Sequence, residues 1–201
     1  MIKNSLIKSI LAGISIGIGA LAYLSIENKV IGGLFFSIGL FVILNFNLNL
    51  YTGKICYVIE KKNYLEVAIT LLGNFIGVSI LAIICNLSRL TNLLEQVNQI
   101  CDIKLNDSYL SLFMLAILCN IMIYIAVEGY SVFKSSIIKI ITLFMGISIF
   151  VICGFEHCIA DMFYFAFAGR LNFDIILRLL IIIAGNTFGG ITIRQVLKEK
   201  K

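Results

Sequence analysis

Long apolar segments follow one another along nearly the whole chain, and they constrain its fold more than any other feature. Six segments lie at about 6–26, 30–59, 65–87, 109–130, 137–168 and 175–196. A helix of about 20 apolar residues crosses the hydrocarbon core of a bilayer. The sequence therefore predicts an all-α membrane protein with six transmembrane helices in a single domain over residues 1–201, and the polar segment 88–107 is its longest loop.

The composition excludes several other classes of protein. Of the 201 residues, 60% are hydrophobic and 13% are charged, whereas soluble domains are about half apolar and about a quarter charged. This excludes a disordered chain, a nucleic-acid-binding module and a soluble globular enzyme. A single histidine with scattered cysteines lacks the paired spacing of a metal site, and neither a phosphate-binding glycine loop nor a nucleophile elbow is present. We therefore expect no metal, no cofactor and no enzymatic activity.

Basic residues indicate the orientation in the membrane. Lys3 and Lys8 precede the first apolar segment, but no small-residue cleavage site follows, so this segment is interpreted as a membrane helix rather than a removable signal. When both termini are placed inside, the inner segments hold most of the 16 lysines and arginines, including Lys200 and Lys201. Because inner loops are enriched in Lys and Arg, the sequence predicts a multi-pass protein of the cell membrane with cytoplasmic termini.

The chain divides into two halves of similar pattern. The second and fifth segments are both too long for one simple crossing, and the third and sixth share the strings GNFIG at 73–77 and GNTFG at 185–189. Each half holds an odd number of segments, so the two halves must have opposite orientation, as in inverted-repeat transporters. The repeats would cover about 5–90 and 108–197. Chance recurrence of small residues at helix contacts is the alternative, and the matching long segments argue against it.

Polar residues interrupt the two long segments. Those in the second are Asn45, Asn47, Asn49, Thr52 and Gly53, and those in the fifth are Gly154, Glu156 and His157. Irregular backbone at membrane depth is tolerated where it is buried in protein or lines a watery cavity, so both breaks should face a path through the protomer. We expect Glu156 to support its break by accepting backbone N–H bonds, with Gly53 and Gly154 as further support.

Four polar positions are candidates for the chemistry of that path. Thr52 could donate its hydroxyl from the first break or simply cap the helix that follows it. His157, the single histidine, lies within an apolar segment, where an ionisable group indicates function and an imidazole can exchange a proton near neutral pH. A neutral histidine bonded to a carbonyl is the structural alternative. Asn120 is predicted to point inward, although it could simply join two helices. Lys104, taken alone, would be an ordinary solvated lysine.

Three strings in the chain resemble motifs of the formate/nitrite transporter family. They are LYTG at 50–53, GFEHCIADM at 154–162 and GNTFGG at 185–190. The similarity runs from about residue 11 to 190. Asn120 and Lys104 also fall where the family has an asparagine on the fourth helix and a lysine before it.

The resemblance implies a fold and a function. The fold has six helices per protomer as an aquaporin-like inverted repeat of three plus three, with the second and fifth helices broken. The assembly is a homopentamer with a pore in each protomer. The substrates are small monovalent anions of weak acids, such as formate, nitrite or hydrosulfide, and no cofactor is used. Partners would be the anion, protons, membrane lipid and other copies of the chain, without nucleic acid.

Roles for individual residues follow from the same resemblance. Thr52 would lie in the loop that breaks the second helix and face His157 at the pore centre. Asn120 would hydrogen-bond near that histidine, and Lys104 would draw anions into the outer vestibule. The histidine would assist protonation of the anion, so that a neutral acid passes the apolar constrictions. The residues that fit these constrictions are Phe36, Leu40, Leu50 and Phe150.

The chain departs from the family pattern in several places. Asn49 stands where an acidic residue is usual, Asp161 stands where Asn is usual, and proline is absent. Few residues precede the first helix, so gating by an N-terminal segment is not expected. Hydrosulfide is the alternative substrate. A neutral-solute pore and a regulatory protein with a degenerate pore are the alternatives of other classes, and Lys104 and His157 argue against both.

Overall fold

The computed structural model describes residues 2–198, which hold eleven α-helices, one short 3-10 helix at Arg89–Leu93 and no β-strand. The α-helices are α1 (Ile2–Leu24), α2 (Lys29–Phe36), α3 (Ile38–Asn45), α4 (Tyr51–Ile55), α5 (Val58–Lys61), α6 (Tyr64–Asn86), α7 (Leu94–Asn106), α8 (Tyr109–Val132), α9 (Ser136–Ile152), α10 (Cys158–Phe167) and α11 (Phe173–Lys198). Lys200 and Lys201, counted above as inner cations, lie outside the described residues.

Four of the helices in this part of the chain are long and apolar enough to cross a membrane, namely α1, α6, α8 and α11. They correspond to the first, third, fourth and sixth predicted segments. The other two segments contain shorter helices, α2 to α5 and α9 to α10. Segment 88–107, expected as a loop, is mostly helical, because α7 buries Val97, Cys101 and Lys104 against the rest of the protein.

The long helices pack as two close pairs, α1 with α6 and α8 with α11. Glycine permits this approach. A Cβ atom at Gly77 would collide with the carbonyl oxygen of Ile10, and one at Gly189 would collide with that of Ile117. Small residues at such contacts let membrane helices approach closely. The two pairs occupy equivalent places in the two halves of the sequence.

Helix α10 lies at the centre of the molecule. Its residues from Cys158 to Phe165 are all buried, and it contacts α1, α6, α7 and α11. Large apolar side chains such as Leu65 and Leu110 are instead exposed on the long helices, as a surface in contact with lipid requires. The fold therefore places the start of α10, where His157 lies, in the protein interior.

Candidate functional site

The chain leaves helical geometry twice near the centre, at 46–50 before α4 and at 153–157 before α10. Gly154, expected to support the second break, has a φ of 69°, a left-handed conformation that favours glycine. Gly53 does not share this role. It lies inside α4, and a Cβ atom at this position would have Val127 Cγ2, at 3.8 Å, as its nearest neighbour.

Asn74 of α6 holds the first break in place. Its side-chain oxygen accepts a hydrogen bond from the backbone N–H of Tyr51 at 2.9 Å. Its amide nitrogen donates to the carbonyl oxygens of Asn49 at 2.9 Å and Ser9 at 2.7 Å. One buried side chain therefore satisfies polar backbone groups on both sides of the start of α4 and ties them to α1.

Asn186 of α11 holds the second break in the same way. Its oxygen accepts from the backbone N–H of Cys158 at 3.0 Å, and its nitrogen donates to the carbonyl oxygens of Glu156 at 2.9 Å and Ala116 at 2.8 Å. Sequence reasoning did not assign either asparagine to the site. The signal was present, however, because Asn74 and Asn186 are the second residues of the shared GNFIG and GNTFG strings.

His157 and Thr52 join the two breaks. The imidazole Nε2 lies 3.1 Å from the hydroxyl oxygen of Thr52. The other ring nitrogen, Nδ1, accepts the backbone N–H of Ala160 at 3.2 Å, so it carries no proton. The imidazole is therefore the neutral tautomer with its proton on Nε2, which donates to Thr52. Thr52 is the second residue of α4, not part of the preceding loop as expected, because Asn74 allows the helix to begin at Tyr51.

Asn120 of α8 holds Thr52 from the opposite side. Its amide nitrogen donates to the Thr52 carbonyl oxygen at 3.2 Å. Its own oxygen is buried and has no hydrogen-bond partner within residues 2–198. The structure thus places Asn120 beside the predicted centre, where it contacts Thr52 rather than the imidazole.

Lys104 is buried and paired with two acids. Its Nζ atom lies 2.5 Å from Glu156 Oε2 and 2.8 Å from Asp161 Oδ1. Glu156, expected to accept backbone N–H bonds, pairs its carboxylate with Lys104, while Asn186 bonds to the backbone of the break. A charge buried without a partner is costly. The two acids provide partners for Lys104, so this lysine can be buried rather than solvated. Arg178 fixes its backbone by donating to the Lys104 carbonyl oxygen at 2.8 Å.

Two cavities approach this centre. The first, here called the Lys104 cavity, has a volume of about 180 Å³ and contains Lys104, Glu156, His157 and Asp161 in its wall. The second, called the Lys54 cavity, has a volume of about 250 Å³. Its wall includes Leu50 and Gly53, on either side of Thr52 in the sequence. His157 thus lines the Lys104 cavity, and its hydrogen-bond partner Thr52 lies in the sequence between two residues that line the Lys54 cavity.

The four predicted constriction residues divide between the cavities. Phe36 and Phe150 line the Lys104 cavity, with their rings edge to face at a centroid distance of 5.6 Å. Phe150 also stacks on His157, with ring centroids 5.7 Å apart. Leu40 and Leu50 line the Lys54 cavity. Apolar side chains therefore lie on both sides of the histidine.

Residues 1–198 match the family model described as formate/nitrite transporter. The chain belongs to the formate/nitrite transporter family. It is 29% identical over 151 residues to the formate channel FocA of Haemophilus influenzae, covering 67% of this chain and 52% of that protein. It is 26% identical over 179 residues to the formate channel FocB of Escherichia coli, covering 78% and 64%. This member of the family thus spans about half to two thirds of the length of these relatives.

Other comparisons agree with this family assignment. The chain is 28% identical to a formate-nitrite transporter of Plasmodium falciparum, covering 93% of this chain and 74% of that protein. It superposes on a pentameric formate channel with formate bound with a TM-score of 0.86 and 26% identity, covering 100% and 98% of the two chains. A second structure, an ion channel of the same family, has a TM-score of 0.87 at 19% identity and supports the fold. These proteins are named as channels and transporters, which agrees with a non-enzymatic function.

The site offers one ammonium and one imidazole N–H as hydrogen-bond donors. An anion in the Lys104 cavity would meet the ammonium of Lys104, and at the centre it would meet the Nε2–H of His157. Transfer of the Nε2 proton alone would leave an imidazolate. A proton must therefore reach Nδ1 first, and Nδ1 is occupied by the N–H of Ala160.

Proposed function

We propose that the chain is a channel for small monovalent weak-acid anions such as formate or nitrite, with one pore in each protomer of a homopentamer. The observation that carries this proposal is the His157–Thr52 hydrogen bond between two cavities, flanked by apolar side chains. The membership of the family, with formate channels among the relatives, supports the substrate class. The protein would be a multi-pass protein of the cell membrane with cytoplasmic termini.

In this proposal the chain crosses the membrane six times. Helices α2 to α5 form one interrupted crossing, and α9 and α10 form another, in addition to the four long helices. The equivalent hydrogen bonds of Asn74 and Asn186 support two inverted repeats, at about 5–90 and 108–197, within one channel domain over 1–201. The ends of the two breaks, at 49–50 and 156–157, are buried, and Asn74 and Asn186 bond to backbone polar groups there, as irregular backbone at membrane depth requires.

The mechanism proposed here follows the cost of moving a charge through an apolar passage. An ionised carboxylate among Phe36, Phe150, Leu40 and Leu50 loses its hydration, which is expensive unless it is paired or neutralised. A weak acid avoids much of this cost by taking up a proton. Lys104 attracts the anion, and the Nε2–H of His157 donates a hydrogen bond to it in place of Thr52. The neutral acid then passes and releases its proton in the Lys54 cavity.

The homopentamer is supported by the structure named as a pentameric formate channel, which aligns with the whole chain at 26% identity. The exposed apolar faces of the long helices suit contacts with neighbouring protomers and with lipid. Because each protomer holds both cavities, each would conduct through its own pore.

Flux into liposomes tests the proposal. Purified protein is reconstituted, and uptake of formate, nitrite and hydrosulfide is compared at several pH values for the wild type and for His157→Asn. Thr52→Val is the matched variant, since it keeps the histidine and removes its hydrogen-bond acceptor. We expect saturable or conductive flux of one of these anions in the wild type and an altered flux in His157→Asn, which lacks the Nε2–H donor at the centre.

The other possible results of the flux measurement each indicate a different function. Flux of hydrosulfide without formate or nitrite would make hydrosulfide the substrate. Flux of water or glycerol without any anion would indicate a neutral-solute pore. No flux of any solute from a folded protein would contradict a channel altogether and leave a degenerate pore.

A further inference from the structure

The Lys104 cavity contains more negative than positive charge at its deepest point. One ammonium, that of Lys104, faces the carboxyl groups of Glu156 and Asp161. All three side chains are buried, with exposed fractions of 9% or less. If both acids were ionised, these three groups would carry a net negative charge in the very cavity that must admit an anion.

Asp161 is the unusual member of this cluster. It is 2% exposed, and its Oδ1 atom pairs with Lys104. Its Oδ2 atom has no hydrogen-bond donor among the described residues, although it is buried. The carboxyl groups of Asp161 and Glu156 contact the same Lys104 ammonium, at 2.8 Å and 2.5 Å from its Nζ atom. Two ionised carboxylates cannot bond to each other, whereas a carboxylic acid donates to a carboxylate, so a single proton satisfies both groups.

Within residues 2–198, Lys104 is the cation that pairs with Asp161, and no second ion pair of this carboxylate is found. The titratable side chains that interact with it, apart from Lys104 and Glu156, are Tyr164 and Cys158 on α10, Cys119 on α8 and Cys101 on α7. Tyr23 of α1, His157 and Lys29 also line the cavity, and Lys29 is exposed. Arg178 reaches Lys104 only through its carbonyl oxygen, and Arg170 is paired with Asp102 at 2.5 Å.

We propose that Asp161 and Glu156 share one bound proton beside Lys104, and that this proton neutralises the entering anion. This inference rests on the proposed function and names the source of the proton. With the proton bound, the cluster is neutral and admits an anion. The O–H bond of the carboxyl group then breaks as an O–H bond forms on the substrate, which leaves a carboxylate and a neutral weak acid. Water at the mouth of the cavity returns a proton to the cluster.

The bound proton is tested directly by infrared spectroscopy of the purified wild-type protein at neutral pH. A carboxylic acid shows a C=O stretching band that a carboxylate lacks. We expect this band in the wild type and its loss in Asp161→Asn, where Lys104 and Glu156 form a simple ion pair. Glu156→Gln should also lose it, and Glu95→Gln, at an exposed position on α7, should not. Absence of the band from the wild type, or its full retention in Asp161→Asn, would overturn the proposal.

The coupling to transport is tested by the ratio of wild-type to Asp161→Asn formate flux as a function of pH. Taking the ratio cancels the titration of formate itself. Because one proton is involved, we expect the ratio to fall as pH rises, approaching about tenfold per pH unit above the titration of the cluster. For Glu95→Gln the ratio should be constant. A constant ratio for Asp161→Asn would refute the coupling. No anion flux from folded wild-type protein would refute the proposed function and the coupling together, while the infrared band would still decide whether the proton is bound.

Discussion

Replacing Asn186 with alanine should destabilise the protein strongly, because one side chain makes three hydrogen bonds at the second break. The bonds join it to the N–H of Cys158 and to the carbonyl oxygens of Glu156 and Ala116. Side-chain hydrogen bonds inside membrane proteins contribute about 0.6 to 1.7 kcal/mol each. Three of them therefore contribute about 2 to 5 kcal/mol. Water does not compensate for their loss, because the backbone groups that would be left without a partner are buried.

The assay is thermal unfolding of the purified protein in detergent. For a chain of this size, each kcal/mol lowers Tm by about 2–4 °C, so Asn186→Ala should lower Tm by at least about 4 °C. Asn74→Ala should have an effect of similar size, because Asn74 makes the equivalent three bonds at the first break. Asn98→Ala is the control, since among the described residues the side chain of Asn98 bonds to the carbonyl oxygen of Leu94 within its own helix and to no other group.

The two asparagines share no bonding partner, so the double variant should lose the sum of the two single effects. A Tm within about 1 °C of wild type for Asn186→Ala would show that the break is held by packing rather than by this side chain. An effect of Asn98→Ala as large as that of Asn186→Ala would equally refute the reasoning.

Two further predictions concern packing and the position of Lys104. Gly189→Ala should reduce the yield of folded protein, because its Cβ atom would collide with the Ile117 carbonyl oxygen. Gly53→Ala is the control and should fold normally, since its Cβ atom would lie 3.8 Å from Val127 Cγ2. Equal yields of the two variants in size-exclusion chromatography would contradict this prediction. Arg178→Lys should lower formate flux in liposomes by several-fold. Arg178 donates to the carbonyl oxygens of Lys104 and Asp107, and a lysine cannot replace both bonds, so the backbone of Lys104 would lose its support. Unchanged flux in a stably folded Arg178→Lys protein would show that Lys104 is positioned without it.

Much of the secondary structure could be predicted from the sequence. The four long helices lie within a few residues of the predicted segments, because about 20 consecutive apolar residues have few alternatives to a membrane helix. The non-helical segments 46–50 and 153–157 overlap the asparagines at 45–49 and the GFEH string at 154–157, which are local features, whereas Thr52 and Gly53, expected in the first interruption, lie in α4. Helix α7 was not predicted, because its sequence is too polar to indicate a membrane helix. Its buried face depends on packing against the rest of the protein.

The site depended on contacts between distant residues. The partner of Lys104, Glu156, lies 52 residues away in the sequence, so nothing local distinguishes this lysine from a solvated one. The same holds for Asn186 and Cys158, 28 residues apart, although the repeated glycine–asparagine strings marked the position. The sequence by itself determined that the chain is a helical membrane protein with a histidine at a central break, because hydrophobicity and residue type act locally. Only the tertiary structure decided which nitrogen of His157 carries the proton and that two carboxyl groups face one lysine, because hydrogen bonds and charge pairing depend on which side chains the fold brings together.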